Sequence, residues 1–135
     1  MNGYAVVDAS AFVASVLPDE QASESLRSAL RDVVFVVPAI WPAEVVNTLC
    51  VAERRGRIDA EGIRLVLDRL RQRVPELEAA ALEPCFTDTL GLARKHKLTV
   101  YDAMYLEIAI RRRLPLATLD ADLRKAAKKA TVKLL

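Results

Sequence analysis

The sequence predicts an α/β fold, an α/β/α sandwich with a mostly parallel sheet, and three observations carry that expectation. Short apolar runs of strand length alternate along the chain with longer stretches of helical spacing. The runs are continuous rather than alternating, which suits parallel strands covered by helices on both faces. The length, 135 residues with 53% apolar side chains, suits one domain over 1–135 with a core of its own.

Tyr4-Ala5-Val6-Val7 is the first predicted strand, and a helix is expected over 19–31. Val33 to Val37 is the second strand, followed by a helix over 42–55 that opens on Pro42, a residue suited to a first helical turn. Over 59–74, Ile63, Val66, Leu67, Leu70 and Val74 share one helical face while Arg64, Asp68, Arg69 and Arg71 take the others. Asp19, Glu20 and Asp59 read as helix-start residues. Helices are expected over 85–97 and over 101–113, where Tyr101, Met104, Tyr105 and Ile108 repeat the apolar spacing. Leu114 to Thr118 is a third strand, 121–130 a last helix, and Val132 to Leu135 a closing strand. Ligands of such sheets bind beyond the carboxyl ends of the strands.

Composition removes several classes. With 28% charged residues and only four glycines, the chain is neither disordered nor fibrous, and 5% aromatics leave the core to Ala, Val, Leu and Ile. The longest apolar run, Val33 to Ala43, is eleven residues with two prolines, against about 20 for a membrane span. The opening MNGYAVVDAS lacks the basic start and apolar stretch of a signal peptide, so a cytoplasmic location with no membrane partner is expected. Cys50 and Cys85, without CxxC spacing, read as buried reduced thiols. His96 is the only histidine, at a helix end in Arg94-Lys95-His96-Lys97, and there is no GxSxG, GxGxxG or phosphate-loop motif. Zinc sites built on several His or Cys cannot be assembled. The net charge is only +2, yet residues 1–53 carry seven acids and two bases while 54–135 carry eleven acids and eighteen bases, an asymmetry that hints at an anionic partner.

The acids remain, and their placement is informative. Asp8 ends the first strand, Glu44 lies two residues past Pro42, Asp102 opens a helix in Thr99-Val100-Tyr101-Asp102, and Asp120 follows the Leu114–Thr118 strand. Each has a structural reading: Asp8 and Asp120 as N-caps, Glu44 as the N3 acid behind Pro42 at N1, and Asp102 as the N3 acid of a box begun by Thr99. Taken together, helix starts that follow parallel strands converge on one edge, and four crowded carboxylates repel one another unless a hard cation such as Mg²⁺ neutralises them. Asn47, one turn after Glu44, and the hydroxyls of Ser10 and Thr118 are polar groups placed to support the acids. Asp122 reads as an exposed first-turn acid.

The segments Asp8-Ala9-Ser10, Glu44-Val-Val-Asn47-Thr-Leu49, Thr99-Val-Tyr-Asp102-Ala-Met-Tyr-Leu106 and Thr118-Leu-Asp120-Ala-Asp-Leu123 together resemble the PIN-domain ribonucleases, and among them the VapC-type toxins of toxin–antitoxin pairs. The ordered set covers essentially the whole chain. The resemblance implies a PIN-like parallel sheet flanked by helices and metal-dependent endonucleolytic cleavage of RNA, with Mg²⁺ as cofactor and Mn²⁺ as a substitute. It also implies a homodimer and a VapB-type antitoxin that blocks the site. By position, Asp8, Glu44, Asp102 and Asp120 would be the acidic metal-site residues, Asp8 and Asp102 the primary ligands, and Ser10 and Asn47 supporting polar residues. Arg94, Lys95, Lys97, Arg111, Arg112, Arg113, Arg124, Lys125, Lys128 and Lys129 are the bases available to RNA phosphates. Two alternatives stay open: a non-catalytic RNA-binding or scaffold domain of the same fold, and a metal-dependent phosphatase. A phosphatase of the haloacid-dehalogenase kind wants a second Asp two residues after the first, where this chain has Ser10.

Overall fold

The computed structural model describes residues 3–19 and 22–135. Four parallel strands form one sheet in the order β3-β2-β1-β4. The strands are β1 (Gly3–Val7), β2 (Val33–Pro38), β3 (Glu76–Glu78) and β4 (Leu116–Ala117). Between them run α1 (Ala9–Val16), α2 (Glu24–Arg31), α3 (Trp41–Arg54), α4 (Ala60–Gln72), α5 (Leu82–Pro84), α6 (Leu90–His96), α7 (Val100–Arg112) and α8 (Ala121–Lys129), with a π-helical turn, Cys85–Thr89, joining α5 to α6. The α/β architecture expected from the alternation is present, and no helix among the described residues is long and apolar enough to cross a membrane.

The continuous apolar runs are buried on both faces. Ala5, Val6, Val7, Val36 and Val37 are fully enclosed, and the register pairs Val6 with Val36 on one side and with Leu116 on the other. Phe12 of α1, Phe35 of β2 and Trp41 of α3 pack edge to face and tilted, with ring centroids 5.3–6.3 Å apart. Much of the remaining core is aliphatic.

Several elements differ from the sequence expectation, each for a physical reason. Helix α1 follows β1 with only Asp8 between them and buries Ala9, Ala11, Phe12, Val13 and Ala14; a helix enclosed on most sides has no amphipathic period to announce it. The helix expected from residue 19 begins at Glu24, where Ser23 caps it by accepting the Leu26 N–H. Asp19 instead pairs with Arg57 at 2.7 Å, and Glu20 lies outside the described residues. The α4 helix stops at Gln72, leaving Val74 exposed. The edge strand β3, Glu-Leu-Glu, has no apolar run to mark it. The closing strand is reduced to a single bridge between Leu134 and Leu116. Cys50 and Cys85 are free but half-buried rather than buried.

Strand order sets the location of the site. From the central β1 the chain steps outward through β2 to β3, then returns to place β4 on the other side of β1. The crevice beyond the carboxyl ends of β1 and β4 is therefore the point where the winding reverses, the usual ligand position in open α/β sheets.

Candidate active site

Asp8 leaves β1 into that crevice and caps α1. Its Oδ1 accepts the Ala11 N–H and the Ser10 hydroxyl, both at 2.8 Å, and its Oδ2 accepts the hydroxyl of Thr118 at the end of β4. Three of about four acceptor positions on the carboxylate are thus taken, leaving one on Oδ2. Burial raises the Asp8 carboxyl above its ordinary value; the bonds from Thr118, Ala11 and Ser10 pull the other way, and the Asp120 charge adds to the rise.

Asp120 sits opposite as the N-cap of α8, its Oδ1 accepting the Leu123 N–H at 2.8 Å, while its own N–H donates to the Thr118 hydroxyl at 3.1 Å. One buried threonine therefore joins both aspartates. Arg124 donates to the Thr118 carbonyl at 2.9 Å and fastens the first turn of α8 to the end of β4. Asp122 is exposed on the same turn.

Glu44 lies in the first turn of α3, one position later than expected because the helix opens on Trp41 rather than Pro42. Its Oε1 accepts the hydroxyl of Tyr105 at 2.5 Å. Asp102 is the third helical residue of α7, whose N-cap Thr99 accepts the Asp102 N–H at 3.1 Å. Its route to the crevice differs from the expectation: α7 follows α6, not a strand, and the α6–α7 hairpin carries its N-terminus back to the strand ends. The Asp102 carboxyl is raised by burial first, then by the Asp120 charge, with Asp8 and Glu44 adding to it. Asp102 thus lies within electrostatic range of the other three sequence-selected acids.

The supporting residues divide. Ser10 and Thr118 bond Asp8 directly. Asn47 is exposed on α3 and has no hydrogen bond among the described residues. Tyr105 is the contact of the candidate site that sequence reasoning misses. Its spacing reads as part of an apolar face, and the available signal is its place three residues after Asp102, on the same side of α7.

The basic residues are also sorted. Arg111 bonds Glu107 at 2.7 Å and Glu78 at 3.1 Å, and Arg112 bonds Glu78 and Glu76 at 2.9 and 3.2 Å, so both fasten α7 to β3. Arg94, Lys95, Lys97, Lys125, Lys128 and Lys129 remain exposed. His96 is held below its ordinary pKa by burial first and then by the charges of Lys95 and Lys129.

A parallel α/β sheet with carboxylates gathered at its winding reversal defines a class of acidic-site domain, and comparison with known families gives that class its name. The model of the PIN domain matches residues 5–129, and the chain belongs to the PIN-domain family. Within it the likeness is to the VapC type: Ribonuclease VapC3 of Pyrobaculum aerophilum is 31% identical over 118 residues, spanning 87% of this chain and 90% of that protein. The crystal structure of PAE2754, also from Pyrobaculum aerophilum, superposes with a TM-score of 0.64 at 25% identity, covering 93% of this chain and 87% of that one.

Proposed function

We propose that this chain is a Mg²⁺-dependent endoribonuclease, the toxin of a toxin–antitoxin pair, that hydrolyses RNA phosphodiester bonds in the crevice between Asp8, Glu44, Asp102 and Asp120. The observation that carries the reading is the buried Thr118 hydroxyl, which joins the Asp8 carboxylate to the N-cap turn of Asp120 where the winding of the sheet reverses. The ribonuclease name of the VapC3 relative supports the same reading.

Among the described residues no group of three or more His, Cys, Asp or Glu side chains stands ready to hold a metal ion. Mg²⁺ asks for less, since it binds through one or two carboxylates and completes its shell with water. The donor set fits that ion. All four acids offer oxygen, and the hydrogen bonds that fix Asp8, Glu44 and Asp120 leave Oδ2, Oε2 and Oδ2 respectively with room for a further contact. Asp8 and Asp102 would hold the ion, with Glu44 and Asp120 completing the acidic wall. When bound, the ion would supply an activated water and a positive charge against the scissile phosphate.

The chain's own groups prepare that crevice. Ser10, Thr118 and the Ala11 N–H fix the Asp8 carboxylate and favour its ionised form against burial. The exposed lysines of α6 and α8 hold the RNA backbone and counter its repulsion from the acids. A homodimer, a VapB-type antitoxin as partner and a cytoplasmic location belong to the same proposal, and the VapC likeness supports the antitoxin partner.

Product chemistry tests it. Water attack on phosphorus leaves a 3′-hydroxyl and a 5′-phosphate, whereas attack by the neighbouring 2′-hydroxyl leaves a cyclic phosphate. End-group mapping of RNA cut by the purified protein is expected to find the first pair. Cyclic phosphate ends, or no cleavage by metal-loaded protein, would overturn the proposal.

A further inference from the structure

The Tyr105 phenol is buried, 1% exposed, in a position where an ordinary core residue would be apolar. Its hydroxyl donates to Glu44 Oε1 at 2.5 Å, across 61 positions of sequence. Tyr105 also stands one helical turn after Asp102 on α7. One side chain therefore joins α3, which carries Glu44, to α7, which carries Asp102.

We infer that Tyr105 is a positioning residue of the acidic crevice, fixing Glu44 through one carboxylate oxygen and fastening α3 to the helix that carries Asp102. With Oε1 held, no hydrogen bond among the described residues uses Oε2, which is the oxygen left for the chemistry. A phenol suits this role because it is a rigid donor on two torsions, and burial together with the facing carboxylate keeps its proton on oxygen. A phenylalanine would fill the same volume but leave Glu44 free to turn. The kinetic consequence rests on the ribonuclease reading above; the contact itself does not.

The test uses full-length Tyr105→Phe, Glu44→Gln and the double variant, with Asp59→Ala as a control that removes the α4 cap without approaching the crevice. Tyr105→Phe is expected to remain folded by circular dichroism and to lose about ten- to hundredfold in kcat, the usual scale for removing a partner that orients a ligand, with KM changed less than about twofold. The double variant is expected to cleave no more slowly than Glu44→Gln alone, because Tyr105 acts through Glu44. The ¹³C carboxyl resonance of Glu44 is expected to move in metal-free Tyr105→Phe and to stay in place in Asp59→Ala. A folded Tyr105→Phe protein with wild-type kcat, losses that simply multiply in the double variant, or an unmoved Glu44 resonance would each overturn the inference. Wild-type protein that leaves RNA intact would instead defeat the ribonuclease reading, and the Glu44 resonance would still decide the Tyr105 contact.

Discussion

Replacing Asp8 in two ways separates its structural role from its chemical one. Asp8→Ala removes the acceptor for the Ala11 N–H, the Ser10 hydroxyl and the Thr118 hydroxyl. Loss of an N-cap costs about 1 kcal/mol, and a buried hydroxyl proton left without its acceptor costs about 1–3 kcal/mol, the Asp120 N–H still donating to the Thr118 oxygen. Thr118 is 1% exposed, so water cannot replace the carboxylate there. Release of a buried carboxylate offsets part of this, leaving a net loss of about 1–3 kcal/mol and a Tm lower by about 4–10 °C. Asp8→Asn keeps an oxygen for Ala11 and Ser10 and presents an amide to Thr118, whose hydroxyl can turn to accept; its metal-free Tm is expected to stay within about 2 °C of wild type. Both variants are expected to lose RNA cleavage by orders of magnitude. Thermal unfolding by circular dichroism in EDTA, beside cleavage assays in Mg²⁺, measures both effects. Equal stability of the Ala and Asn variants, or wild-type cleavage by the Asn variant, would refute this division of roles.

Asp102→Asn is expected to stabilise the metal-free chain at neutral pH. Burial and its neighbours raise this carboxyl above the ordinary value of 3.8 in the folded state, so the folded chain holds a proton that the unfolded chain releases. Its contribution to stability is fully present below that ordinary value and is lost as pH rises through the raised one; the gain from Asn, read by urea unfolding, should therefore shrink on acidification. Asp120→Asn preserves an N-cap while removing a charge from the crevice and should lower cleavage about tenfold or more, whereas exposed Asp122→Asn should leave it within about twofold; parallel cleavage rates and Mn²⁺ titrations of the two distinguish them. Asp59→Ala should lower stability by about 1 kcal/mol with cleavage unchanged, as judged by chemical denaturation beside the same assay.

The sheet and most helices are legible in the sequence because burial leaves its mark there. Val6-Val7 and Val33 to Val37 read as unbroken apolar runs, with Val6, Val7, Val36 and Val37 wholly enclosed, and α4 keeps its polar side in solvent and shows its period. Enclosed α1 and the charged edge strand β3 break those two patterns and leave no signal. At the site, all four carboxylates are legible, but in sequence a cap and a functional acid look like competing roles. The two are compatible, since the cap bonds of Asp8 and Asp120 each occupy only one of the two carboxylate oxygens. Tyr105 escapes because a buried phenol obeys the same spacing as Leu or Ile; only the fold reveals that its hydroxyl meets Glu44. In the arginine run 111–113, Arg111 and Arg112 pair with the acids of β3, a contact the sequence does not announce.

The central claim is that four carboxylates at the winding reversal form a cation-dependent RNA-cleaving centre. Its most direct test is a Mg²⁺ titration, starting from EDTA, of RNA cleavage by wild-type protein and Asp102→Asn in parallel. The expected result is no cleavage by either protein in EDTA, saturable cleavage by wild type as Mg²⁺ rises, and no recovery by the folded variant. Cleavage by wild type in EDTA, or wild-type cleavage by Asp102→Asn, would contradict it.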